Sequence, residues 1–248
     1  MPVSRGRVLT ARASDRAYPE PVAKQGDRTQ HLAQDGDGSA VARQQRRASV
    51  SCSSHPATGK FGYPIHHVET RAQWRAWLEA NHASTRGVWL CSWRSATGRP
   101  RCPYPDVVEE AICFGWIDST VTNLDDERGL QLITPRNPKS AWTRLNRRRV
   151  AAMEAAGLMT DAGRGAVSIA EQNGWWTIYD PVEDLIEPYE LKVALDANPA
   201  ARREWDRLPP SARKLMLWWV ISAARAETRQ RRIDQIVWKA AVGLRARS

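Results

Sequence analysis

The chain has 248 residues, enough for one large domain or a domain with appendages. Its 42 % hydrophobic and 26 % charged content is that of a globular protein, and its longest strongly apolar run, "LMLWWVI" at 215–221, is far too short to span a bilayer. The net charge is +10, but residues 1–60 hold ten Lys/Arg against five Asp/Glu, so half the excess sits there and overall basicity does not identify a nucleic-acid binder.

Residues 1–60 are rich in Arg, Ser, Ala, Gln, Gly and Asp, and Tyr18 is their only aromatic. All twelve tryptophans lie beyond them. Such a segment cannot bury enough surface to offset its chain entropy, and the expectation is a disordered N-terminal extension. It has no apolar h-region of a signal peptide. A coding start placed upstream of the true one, with Val41 or Val50 read as Met, accounts for it more simply than an Arg-rich transit peptide. The remaining residues, 61–248, are expected to form the folded domain, with an α/β part at 61–140 and a helical part at 141–248.

Residues 70–82 predict the first helix. Thr70 and Gln73 have capping-box spacing, and Trp74, Trp77 and Leu78 form one apolar stripe. "GVWLCSWRS" at 87–95 predicts a strand, and "PDVVEEAICF" at 105–114 a helix with Pro105 in its first turn and Gly115 as its stop. "WIDSTVTN" at 116–123 and "LQLIT" at 130–134 flank the turn "LDDERG" and predict a β-hairpin. Ser140 is expected to cap a helix running to Gly157, and Thr160 or Asp161 one running to Asn173. "GWWTIYDPVEDLIEP" at 174–188 reads as irregular, with a short extended piece. Helices at 188–196, 199–208, 210–224 and 226–242 complete the chain. The fold class is therefore α+β: a small antiparallel sheet of about three strands packed on helices, followed by a helical C-terminal region.

The stretch "TPRNPKSAWTRLN" at 134–146 sets Arg136 and Lys139 beside the expected helix start at Ser140. Unpaired N–H groups and the helix dipole, with two cations, make a candidate anion site. The competing reading is two solvated loop charges. On a helical wheel phased at Trp142, Leu145, Met153 and Ala156 fall inward, Asn146 lies at about 40° and Arg149 at about −20°. Arg144, Arg147 and Arg148 then point to solvent. An inward guanidinium needs an acceptor, and Asp118 on the preceding hairpin is the carboxylate nominated. A structural clamp of Arg149, Asn146 and Asp118 is favoured over a ligand pocket.

Cys113 with Asp118 would be the residues of an enzyme. Cys113, however, ends a helix, where the dipole opposes thiolate formation, and the nearest histidines are His66, His67 and His82. A core thiol is the preferred reading. His66-His67 with Cys91 or Cys102 has no recommending zinc spacing, and the chain has no phosphate-cradling glycine loop, GxSxG or HExxH. No metal or cofactor is expected. The four scattered cysteines, without a CxxC pair or secretion signal, suggest thiols in a reducing cytoplasm.

"RAQWRAWLEANH…GVWL", "VEEAICFGWIDS", "TPRNPKSAWTRLN", "AGLMTDAG" and "ETRQRRI" together resemble the YdeI/OmpD-associated family of bacterial proteins, over about residues 65–245. The resemblance implies a bacteriocin-protection or stress-response role with no established catalysis. It carries over Cys113, Gly115, Trp116, Asp118, Arg136, Lys139, Ser140, Trp142 and Asn146. Asn137 stands where the family pattern has a cation, and Thr143 where it has a serine. The expected function is a cytoplasmic, non-enzymatic binding protein whose site is Asp118, Arg136, Lys139, Ser140, Trp142, Asn146 and Arg149. A small anionic ligand or a protein is the expected partner. A nucleic-acid binder using a basic helical surface, and an enzyme using Asp118 and Cys113, are the alternatives.

Overall fold

The computed structural model describes residues 58–244. Nearly all of the expected N-terminal extension, with Cys52, lies outside the described residues.

The first strand, β1 (Ile65–His67), leads into helix α1 (Arg71–Asn81), where Thr70 and Gln73 form the expected capping box. Strand β2 (Val88–Trp93) and helix α2 (Tyr104–Cys113) follow. The hairpin is β3 (Trp116–Asn123) and β4 (Arg128–Pro135). The strands form one sheet in the order β1-β2-β4-β3. β2 runs antiparallel to β4 with Val88 opposite Ile133, and β1 lies parallel to β2 with Ile65 opposite Trp89. The sheet thus has a short fourth strand beyond those expected, and its one parallel pairing. A register shift between Asp118 and Val121 interrupts the hairpin.

Side chains of β2 divide by period 2. Val88 and Leu90 join the core under the helices, whereas Trp89 and Cys91 join Ile65, Leu130 and Leu132 on the other face. Both faces of the central strands are buried, which explains the nearly continuous apolar run "VWLC".

Helices α3 (Arg144–Ala155) and α4 (Asp161–Gln172) come next. The expected cap at Ser140 is corrected. Pro138 and Lys139 form a turn in which the Ser140 N–H donates to the Asn137 carbonyl at 2.8 Å and the Lys139 N–H to Asn137 Oδ1 at 2.8 Å. Asn-Pro favours that turn over a helix start. The helix begins only after Thr143, whose side chain accepts from the Asn146 N–H. Trp142 therefore precedes the helix, and a wheel phased on it is misaligned: Leu145 is 49 % exposed and Ala156 is exposed too, while Met153 and Val150 pack inward.

The stretch expected to hold an extended piece contains turns and a one-turn helix, α5 (Asp180–Glu183). The C-terminal helices are α6 (Tyr189–Asp196), α7 (Pro199–Arg207), α8 (Pro210–Ile221) and α9 (Ala226–Ala241). They pack around Leu191, Leu195, Trp205, Met216, Leu217, Ile233 and Ile236, a core separate from that of α1–α4. Although helical, α3 and α4 belong to the sheet's core. Arg144 keeps a side chain 43 % exposed, as expected, while pairing with Asp184 at 2.6 Å; Arg147 departs from the expectation, pairing with Asp180 and donating to the Trp176 carbonyl at 3.0 Å. They tie α3 to the segment that opens the second core.

Candidate functional site

The buried ionic clamp lies elsewhere than expected. Asp118 has no ion pair within 4.0 Å among the described residues: its Oδ2 accepts from the Tyr104 hydroxyl at 2.7 Å and from Gln131 Nε2 at 2.8 Å. Arg149 donates to Asn146 Oδ1 at 3.0 Å, within its own helix. The carboxylate that locks helices together is Glu110, which is 1 % exposed on α2. It accepts from Arg71 Nε at 2.6 Å and from Arg75 Nη1 at 2.9 Å, joining α1 to α2. A Glu between Val107, Val108, Ala111 and Ile112 was the available sequence signal, because an acid on the apolar face of a helix demands partners.

Cys113 is a core thiol. Burial, and then the Glu110 charge, push it up to about 11, far from a thiolate at neutral pH. Its carbonyl accepts both from the Thr160 hydroxyl at 2.6 Å and from the Thr160 N–H at 3.1 Å, which seats the start of α4 against the end of α2. Gly115, at φ +71°, and Gly163 allow that approach. A Cβ on Gly163 would collide with the Cys113 carbonyl, and one on Gly115 would lie 2.9 Å from the Ala162 oxygen. His67, set aside on sequence grounds, places Nδ1 3.3 Å from Cys91 Sγ on the fully buried side of β2.

The loop between β4 and α3 holds the remaining candidates. The Arg136 N–H donates to the Gly115 carbonyl at 2.9 Å, so the loop leaves the sheet beside the end of α2. Asn173 Nδ2 donates to the Pro138 carbonyl at 2.8 Å, and the Trp142 N–H to the Trp175 carbonyl at 3.3 Å, so the segment after α4 fixes its far side. The Arg136 guanidinium lies over the buried Trp142 ring, 3.7 Å from its centroid. Its Nη1 donates to Ser140 Oγ and to the Ala141 carbonyl, both at 3.2 Å.

Nε and Nη2 of Arg136 are buried and have no hydrogen-bond partner among the described residues. These two nitrogens share one edge of the guanidinium, with their N–H bonds nearly parallel, which is the fork that matches a carboxylate or phosphate. Burial pulls Arg136 down to about 10, and the charge of Asp118 offsets only part of that; at neutral pH the group is still a cation. A buried cation with two orphan donors costs free energy, and such a group calls for a physical reason.

Arg136, Asn137, Pro138 and Trp142 line a cavity of about 250 Å³ together with Ala162, Gly165, Ala166, Ile169 and Ala170 of α4. Of the residues nominated from sequence, Arg136, Ser140 and Trp142 come together here. Lys139 is exposed and outside the cavity lining, Asp118 lies in the hairpin's own hydrogen-bond set, and Asn146 and Arg149 pair on α3. The α4 wall was missed. Its signal is the small residues at 162, 165 and 166, one helical face that brings no side chain to fill the space beside it.

Residues 66–166 match the model of a domain of unknown function (DUF8412). Residues 184–243 match the family described as "Bacteriocin-protection, YdeI or OmpD-Associated". The resemblance drawn from sequence over 65–245 is supported over this C-terminal stretch alone. The motifs of the sheet, the loop and α4's start fall under the first match. The two matches follow the two hydrophobic cores, and the cavity beside Arg136 lies in the first. No curated protein and no solved structure matches the chain. No helix among the described residues is long and apolar enough to cross a membrane.

Proposed function

We propose that this chain is a non-catalytic binding protein that holds a small anion beside Arg136, in a protective role of the kind named for the family matching residues 184–243. The observation that supports the reading is Arg136 itself, a residue of the cavity lining whose Nε and Nη2 are buried without a hydrogen-bond partner among the described residues. Nη1 is already held by Ser140 and Ala141, so the guanidinium is positioned before a ligand arrives. An arriving anion pairs a charge whose desolvation folding has already met. Cytoplasmic action belongs to the same reading, supported by the buried thiols of Cys102 and Cys113.

The test is thermal unfolding of the full chain with acetate, sulfate, phosphate and citrate at matched ionic strength, beside Arg136→Gln. A ligand at ten times its Kd stabilises by about 1.4 kcal/mol, which raises the midpoint by roughly 3–6 °C. At least one anion is expected to do this for the parent and not for Arg136→Gln. Equal shifts in both proteins, or none in either, would contradict the reading.

A further inference from the structure

Strand pairing sets two soft donors side by side on the sheet face that Ile65, Trp89 and Cys91 share, the face away from the core of α1–α4. His67 and Cys91 are register partners in β1 and β2, although they lie 24 positions apart in sequence. Partners on adjacent strands project from the same face, and here Nδ1 of His67 lies 3.3 Å from Sγ of Cys91. Glu69 stands behind the imidazole. Its Oε1 is 3.6 Å from Nε2 and accepts from the Trp93 Nε1–H at 2.7 Å. The Trp93 ring packs edge-on against the imidazole, with centroids 5.0 Å apart. A carboxylate on that side favours the proton on Nε2 and leaves the Nδ1 lone pair facing the thiol. Metal-binding histidines use this same outer-shell arrangement, and here the thiol proton of Cys91 stands where an ion would go.

The surroundings decide the class of ion. Cys91 is fully buried and clusters with Ile65, Trp89, Leu130 and Leu132. The Trp89 Nε1–H is spent on the Lys60 carbonyl at 2.9 Å. Among the described residues, no three His, Cys, Asp or Glu side chains are placed to share one ion. Zinc, which takes four ligands in structural sites, is therefore poorly served. Charge points the same way. A thiolate, a neutral imidazole and a monovalent ion sum to zero, whereas a divalent ion leaves a net positive charge in an apolar interior. Soft monovalent ions favour thiolate and imidazole and are content with two donors. Bonds of about 2.3 Å to sulfur and about 2.0 Å to nitrogen would hold the donors roughly 3.5–4.3 Å apart. The pair must part by ~1 Å at most, and His67 sits on a three-residue strand at the sheet's edge.

We infer that His67 and Cys91 form a two-donor site for a soft monovalent metal ion of the copper(I) class, with Glu69 as its positioning residue. Binding exchanges a proton for the ion: the S–H bond breaks, Sγ–metal and Nδ1–metal bonds form, and the thiol proton leaves to solvent. No electron is transferred. The inference is independent of the anion site, whose Trp142 belongs to the other core.

The experiment is anaerobic titration of the reduced full chain with copper(I) held by bicinchoninate, followed by loss of that complex's colour. One ion per chain is expected to move to the protein, with one proton released in weakly buffered solution. Cys91→Ala and His67→Phe are expected to weaken uptake at least about tenfold, and Glu69→Gln about tenfold. Cys52→Ser is expected to bind as the parent does. X-ray absorption at the copper edge of the loaded parent reads the ligands without any variant, and should show one sulfur and one nitrogen at bonding distance. Zinc is expected to stay with pyridylazoresorcinol in the matching competition. Tight one-to-one zinc binding that is lost in Cys91→Ala would overturn the ion class. Uptake unchanged in both Cys91→Ala and His67→Phe, uptake lost in Cys52→Ser, a shell of sulfur alone, or no uptake from bicinchoninate would overturn the site.

Discussion

Replacing Glu110 by Gln keeps the side chain's shape and removes the charge that holds α1 to α2. Glu110 is 1 % exposed, between Arg71 Nε at 2.6 Å and Arg75 Nη1 at 2.9 Å. Breaking a buried pair by removing one partner costs about 3–5 kcal/mol when the surviving charge is stranded. Here the survivors are partly hydrated, with Arg71 and Arg75 side chains 31 % and 27 % exposed. Arg71 also keeps Glu109 at 2.8 Å, and Arg75 keeps Glu79 at 3.1 Å and the Leu158 carbonyl at 3.2 Å. Screening by water and these partners brings the expected loss down to about 2–3 kcal/mol. Urea unfolding followed by tryptophan fluorescence and far-ultraviolet circular dichroism measures it. With a slope of about 2 kcal/mol/M the midpoint should fall by roughly 1 M at unchanged slope. Asp118→Asn, whose side chain is hydrogen-bonded to Tyr104 and Gln131 and has no ion pair within 4.0 Å among the described residues, should cost less than about 1 kcal/mol. A loss below about 0.5 kcal/mol for Glu110→Gln, or a larger loss for Asp118→Asn, would refute the assignment of the clamp.

Two glycines of α4 separate packing from propensity. Gly163→Ala drives a methyl into the Cys113 carbonyl and should cost about 3 kcal/mol or more in urea unfolding, whereas Gly165→Ala meets only open space and should stabilise by up to about 1 kcal/mol. Cys102 and Cys113, both pushed up to about 11 chiefly by burial, should resist aromatic disulfide reagents at pH 8 until urea is added. Their neutral burial adds stability that is whole below the ordinary thiol value near 9 and is lost as pH rises toward about 11. Cys113→Ser, whose hydroxyl does not ionise in that range, should therefore show a shallower fall in unfolding midpoint between pH 8.5 and 10.

The elements with strong local signals were legible in the sequence. The capping box at Thr70, Pro105 in the first turn of α2 and the aromatic run of β2 appear where their chemistry placed them. β1 was not legible, because three residues, "IHH", carry no periodicity and their pairing depends on β2 far along the chain. The start of α3 was misplaced because Ser140 has the right side chain in the wrong backbone: Asn137-Pro138 commits its N–H to a turn. That error rotated the wheel and turned Arg149 toward Asp118 on paper. Arg136 had been nominated beside a helix start that is a turn, and Trp142 as the origin of the misaligned wheel and through the family resemblance, yet the two side chains meet in the loop. Their partner wall on α4 was hidden, since a cavity is made of what Gly165 lacks.

The unpaired Nε–H of Arg136 is best observed in a proton–nitrogen correlation spectrum of the arginine side chains during titration with benzoate. The Arg136 Nε–H is assigned by its loss in Arg136→Lys. This resonance, without a partner in the ligand-free protein, is expected to move saturably downfield as the anion closes the fork, while other arginine resonances stay in place. An Arg136 Nε–H that already shows a strong hydrogen bond without ligand, or that does not respond at saturating benzoate and phosphate alike, would be incompatible with a guanidinium held ready for an anion.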